Sequence, residues 1–205
     1  MKDEYQSIKA DVTASLKVEG SKFIASAYPV ELRLQAEEIL TKVRKEYFDA
    51  THHCYAYALG SERGEFRYSD DGEPSGTAGI KIFASIQSKD LSDILVVVTR
   101  YFGGTKLGTG GLARAYFESA IGVLSEAVVV PKQVAEEIQI TFPYDETNRV
   151  MNALSHCNAR IVDTVYEDDV TLRVSIRKSS ANTLVDELVN VTRGNIAVKQ
   201  GSRKV

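Results

Sequence analysis

The stretch ILVVVTRYFGGTKLGTGGLARAY, residues 94 to 116, constrains this chain more than any other. It begins as a continuous apolar run, the pattern of a strand buried on both faces. It then passes through Gly103, Gly104, Gly108, Gly110 and Gly111 into Leu112, Ala115, Tyr116, Ser119, Ala120, Val123 and Leu124, which recur at helical spacing. The predicted unit is a buried strand, a glycine-rich loop over 103–111 and an amphipathic helix. No acid lies between Ile94 and Phe117, whereas Arg100, Lys106 and Arg114 do. Any anion site is therefore expected here.

The preceding segments fit the same layered plan. TASLKVEG and KFIASAYPV read as two strands joined at Gly20-Ser21. From Glu31 to Tyr47 the apolar residues Leu32, Ala36, Ile39, Leu40, Val43 and Tyr47 step by three or four, which predicts a helix packed on a sheet. THHCYAYALG and EFRYS read as strands around a turn over Gly60 to Gly64. SGTAGIKIFASIQSK then reads as a helix, with Pro74 placed at its first turn.

Near Pro131 the rhythm changes, and we place a domain boundary between residues 134 and 135. EEIQITF, a helix over 145–157, ARIVDTVYED, DVTLRVSIRK, a helix over 180–191 and NIAVKQ give strand, helix, strand, strand, helix, strand. That is the split βαβ order of a ferredoxin-like domain. Asp168-Asp169 falls at the central hairpin tip, and Arg193-Gly194-Asn195 closes the second helix.

Charge and cysteine usage narrow the function classes. With 25 basic and 28 acidic residues the formal charge is -3, so a nucleic-acid footprint has to be local rather than global. Cys54 and Cys157, far apart and in no CxxC pair, suit a reducing cytoplasm. No run approaches the roughly 20 apolar residues of a membrane span, and the first twelve residues lack a signal-peptide core.

In the glycine-rich stretch, small residues expose backbone N–H groups, and the helix start adds about half a positive charge, so phosphate is the natural guest. Glycine serves equally for positive φ and for close helix-to-sheet approach, and the residues alone leave both readings open. Thr109-Gly110 stands where a Walker A motif needs Lys-Ser/Thr, and the loop has no GxGxxG fingerprint. Tyr101 and Phe102 offer either stacking surfaces for bases or core packing.

Upstream, DDGEPSGTAG, residues 70 to 79, holds Asp70, Asp71 and Glu73. These carboxylates suit a turn and helix cap, a partner or substrate contact, or a Mg²⁺ site. His52 and Cys54 share one strand face while His53 takes the other, so the three do not converge on one ion. A packed, hydrogen-bonded histidine is expected instead. Ser75 lacks the G-x-S-x-G frame of a nucleophile elbow.

SKFIA, DATHHCYAY, DDGEPSGTAG, VTRYFGG and KLGTGGLARAY occur in that order, and together they resemble the YigZ/IMPACT family over nearly the whole chain. The resemblance implies an α+β protein of two domains. Residues 1–134 would form an α/β sandwich like the second domain of ribosomal protein S-five. Residues 135–205 would form a ferredoxin-like domain similar to the last domain of elongation factor G. It also implies a role in translation, since eukaryotic members oppose activation of a starvation-sensing initiation-factor kinase. This chain begins almost at the first hairpin, without the N-terminal RWD domain of those members, so kinase-pathway binding is not carried over. The family supplies no catalytic residues to map.

The expectation is a non-catalytic, cytoplasmic protein that binds RNA or a ribosome surface, with no cofactor and no metal. Lys22, Arg100, Lys106 and Arg114 would contact phosphate, and Gly103, Gly104, Gly108, Gly110 and Gly111 would admit the backbone. A protein partner on the tail domain is a further possibility. The alternative is a phosphotransferase-like enzyme with Mg²⁺ on Asp70, Asp71 or Glu73 beside the loop.

Overall fold

A computed structural model of the chain describes residues 3–200. It divides into two compact units, one over Glu4–Lys132 and the other built from Gln133 onward together with Asp3. No helix among the described residues is long and apolar enough to cross a membrane.

The first unit contains β1 (Glu4–Ile8), β2 (Val12–Val18), β3 (Ser21–Pro29), α1 (Arg33–Glu46), β4 (His52–Leu59), β5 (Glu65–Ser69), α2 (Gly79–Ser88), β6 (Ile94–Tyr101) and α3 (Gly108–Glu126). It ends on β7 (Val129–Gln133), which pairs with β1; neither of these two short strands was expected from the sequence. The main sheet has the order β2-β3-β6-β4-β5 and is antiparallel throughout. The β2–β3 turn sits at Glu19 and Gly20, whose φ values of 44° and 82° fit a tight hairpin turn.

β6 is central and buried on both faces, as its unbroken apolar run requires. Phe23, Ala25, Ala56, Val96 and Val98 face one side, where Ile82, Ile86, Tyr116 and Ala120 of α2 and α3 complete a core. Tyr55, Tyr57, Leu95 and Val97 face the other, against Ala36, Leu40 and Val43 of α1.

Two helix starts differ from expectation. α2 begins at Gly79, so Pro74 lies in the preceding turn, where its carbonyl accepts the Thr77 N–H at 3.1 Å. α3 begins at Gly108, so Gly110 and Gly111 belong to its first turn rather than to a loop.

The second unit runs β8 (Ala135–Phe142), α4 (Thr147–His156), β9 (Arg160–Tyr166), β10 (Val170–Arg177), α5 (Ala181–Val191) and β11 (Ala197–Gln200). A short 3₁₀ turn over Tyr144–Glu146 leads into α4. The sheet order β11-β8-β10-β9 is antiparallel, the arrangement of a ferredoxin-like fold. Ile138, Ile140, Leu172 and Val174 alternate inward against Val150, Leu154, Leu184 and Leu188. The α+β, two-unit architecture follows from these two sheets.

Candidate functional site

The three carboxylates of DDGEPSGTAG have three separate tasks. Asp71, at φ 43°, and Gly72, at φ 89°, turn the chain. Asp70 folds back over that turn: one carboxylate oxygen accepts the N–H groups of Ala78 and Gly79 at 2.9 and 2.8 Å, and the other accepts that of Gly76 at 2.9 Å. It thereby satisfies donors at the start of α2, which carries no side-chain cap of the usual local kind. Asp71 accepts the His53 N–H at 2.7 Å and pairs with Arg44 at 2.9 Å.

Glu73 points into the core. It meets Arg100 at 2.6 Å and accepts the Tyr116 hydroxyl at 2.7 Å, with His52 Nε2 3.9 Å away. The His52 Nδ1–H donates to the Asp71 carbonyl at 2.8 Å, and His53 hydrogen-bonds the Tyr47 carbonyl at 3.1 Å. Both histidines are thus packed and bonded, as expected. Burial pushes the Cys54 thiol up to about 12, with Glu73, Asp71 and Asp70 adding to the rise. Burial likewise raises the Tyr116 hydroxyl, helped by Cys54 and Glu73. Neither group is a nucleophile or base near neutral pH.

Arg100 is the expected phosphate contact that the fold turns inward. Strand alternation puts it on the face shared by Val96 and Val98, opposite Phe23 in the β3 register. There it is 5% exposed and lies 5.4 Å from the Phe23 ring and 5.5 Å from the Phe102 ring. Its second nitrogen donates to Ser21 Oγ at 3.3 Å, and the same oxygen accepts the Gly103 N–H at 3.2 Å. Arg100 therefore ties Glu73 to the base of the glycine-rich loop.

The glycines divide by physical need. A Cβ on Gly103 would sit 1.9 Å from the Gly20 carbonyl carbon, so the loop and the β2–β3 turn touch only because both lack side chains. Gly104 and Gly108 hold φ of 89° and 70°, in the left-handed region. A Cβ on Gly111 would meet one tight neighbour, Leu107 Cβ, at 3.1 Å. A Cβ on Gly110 would meet nothing within 4 Å, and its φ is not positive, so packing does not require glycine there.

Lys106 and Arg114 are exposed, and neither makes an ion pair among the described residues. Arg114 stands three and four residues beyond Gly111 and Gly110, hence on their side of α3, and helical side chains lean toward the N-terminus. That first turn has no side-chain cap and no acid. Lys22 is exposed too, but it pairs with Tyr101 and Lys17 in register, on the sheet face opposite α3. It does not join the other two cations on one face.

Sequence reasoning missed Tyr116 and Ser21 as parts of this network. One signal was available: a tyrosine at a buried helical position needs a partner for its hydroxyl. The partner itself, Glu73, comes from a different element, and local pattern does not reveal it.

Comparison with known proteins adds a family. Residues 19–124 match the family described as Impact N-terminal domain, and residues 140–195 match the one described as Domain of unknown function (DUF1949). IMPACT family member YvyE of Bacillus subtilis (strain 168) is 31% identical over 201 residues, covering 98% of this chain and 93% of that protein. IMPACT family member YigZ of Escherichia coli (strain K12) is 31% identical over 189 residues, covering 91% and 93%. A crystal structure described as that of a hypothetical protein superposes with a TM-score of 0.80 at 28% identity, covering 100% of both chains. On these matches, the chain belongs to the IMPACT family.

Proposed function

We propose that the first unit binds RNA, or a ribonucleoprotein surface of the translation machinery, by its phosphates at the start of α3. The observation that carries this reading is the first turn of that helix, where Gly108, Gly110 and Gly111 leave backbone N–H groups open, uncapped and free of acid. Exposed Lys106 lies just before this turn and Arg114 one turn beyond it. A helix N-terminus attracts anions through its unpaired N–H groups and its dipole, and two unpaired cations strengthen that field. Phe102, 48% exposed, offers ring surface on which a base can stack at the same loop. The family resemblance supports translation as the setting.

In this reading Arg100 positions rather than binds, since Glu73 and Ser21 hold its guanidinium below the loop. Lys22 and Lys17, across the sheet, form a separate cationic pair that extends the surface around the strand ends. The phosphotransferase alternative needs carboxylates free to hold Mg²⁺ beside the loop. Asp70, Asp71 and Glu73 are instead each committed to protein donors.

The test is co-sedimentation with ribosomes and with purified ribosomal RNA at several salt concentrations, for wild type and Lys106→Glu/Arg114→Glu. Both positions are exposed, so the substitutions leave the core intact; the variant should lose most of its binding at low salt, with the gap to wild type narrowing as salt rises. Equal binding by the two proteins refutes the reading.

A further inference from the structure

In the second unit, α4 ends at His156 and its C-cap is Cys157; Asn158, at φ 55°, then turns the chain back. This brings two consecutive side chains against Glu187, one turn before the end of α5. His156 Nδ1 lies 3.1 Å from both Glu187 carboxylate oxygens, and the Cys157 thiol donates to Oε2 at 3.2 Å. The three ligand atoms lie within 4.8 Å of one another.

We propose that His156, Cys157 and Glu187 form a binding site for a zinc-class divalent ion, with a fourth position left to water or an exogenous ligand. Metal–ligand bonds of about 2.0–2.3 Å in tetrahedral geometry set ligand atoms about 3.3–3.8 Å apart; His156 and Cys157 already stand 3.1 and 3.2 Å from Glu187, and all three atoms lie within 4.8 Å of one another. Imidazole and thiolate select zinc-class ions over magnesium or calcium, which take oxygen donors, and a carboxylate completes such sets. The site lies at the C-terminal end of α4, where the helix dipole favours a cation. No lysine or arginine pairs with Glu187 among the described residues, so His156 is the one basic group beside its carboxylate. On binding, the Cys157 S–H bond is exchanged for an S–metal bond, the thiol proton goes to solvent, and no electron moves. His156 is 80% exposed and Glu187 25%, so an ion reaches the site without rearrangement of the core.

Sequence spacing carried no sign of this site. Two of its ligands are adjacent and the third is 30 positions away on another helix, so only the packing of α4 on α5 makes the set.

The experiment is titration of the full, untagged chain with Co²⁺ and Zn²⁺. Wild type should take up one Co²⁺ with a thiolate-to-cobalt charge-transfer band and visible bands of four-coordinate intensity, both displaced by Zn²⁺. Outer-shell changes alone cost about 10- to 100-fold in metal affinity, so Cys157→Ser should abolish the charge-transfer band, and Glu187→Gln should weaken Zn²⁺ at least about tenfold. Circular dichroism of each variant confirms that it is folded. A wild-type protein with no such band at saturating Co²⁺, or a band that persists in folded Cys157→Ser, overturns the assignment.

Discussion

The Glu73 carboxylate meets Arg100 Nη1 at 2.6 Å, where the two side chains are only 3% and 6% exposed. The pair joins the turn before α2 to the central strand, and the Tyr116 hydroxyl adds α3 to the same carboxylate. Removing one member of a buried pair leaves the other charge uncompensated, at a cost of about 3–5 kcal/mol. Glu73→Gln should therefore lower unfolding free energy by about that much, read from urea denaturation. Glu73→Gln/Arg100→Met should lose less than the sum of its two single variants, because no charge is stranded. Strict additivity would show that the two groups do not act as a pair.

Gly103 and Gly110 should respond in opposite directions. Alanine at 103 would drive its methyl into the Gly20 backbone, and neither side of that contact has a flexible end to yield. Overpacking of this kind costs about 1–3 kcal/mol. Alanine at 110 meets nothing within 4 Å and gains helix propensity, so it should stabilise by about 0.5–1 kcal/mol. Thermal unfolding of the two variants checks the contrast.

Cys54 should be nearly inert toward iodoacetamide in the folded protein. A thiol moved from 9.0 to about 12 has about a thousandfold less thiolate at pH 8. Labelling followed by mass spectrometry should find Cys54 unmodified until urea unfolds the chain.

The same group sets an alkaline limit on stability. Below pH 9 the thiol is protonated in both folded and unfolded chains and contributes no pH dependence. Between 9.0 and about 12 the unfolded chain loses the proton while the folded chain keeps it, so stability falls by up to about 1.4 kcal/mol for each pH unit. Tyr116, also raised, adds a loss of the same sign above its ordinary value of 10.0. Cys54→Ala should flatten the decline that begins near pH 9, as measured by urea midpoints across pH. An unchanged profile would remove Cys54 as its source.

Salt dependence distinguishes phosphate binding from other roles of the two exposed cations. Removing one cation that touches a phosphate should reduce the slope of log affinity against log salt by about 0.7–0.9. Lys106→Ala and Arg114→Ala should each do so, uniformly across RNA sequences, in fluorescence anisotropy with a labelled RNA.

The order of the main elements, the helix-covered sheet around β6 and the ferredoxin-like tail were legible in the sequence, because apolar periodicity is a local property that burial enforces; the short β1–β7 pair was not. Helix starts were less so: Asp70 caps α2 from eight and nine residues away, a contact made by the turn and not by neighbouring residues. The direction of Arg100 was not legible at all. On a strand with one wet face, alternation tells which residues point inward; β6 is buried on both faces, so its pattern carries no such mark. Only the packing of Glu73, Tyr116 and Ser21 around it decided that this arginine holds the loop from below, while Lys106 and Arg114 face solvent. The sequence alone thus determined where cations and glycines gather, and the tertiary structure decided which of them are free, because pairing a buried charge depends on residues that meet only after the sheet and helices close.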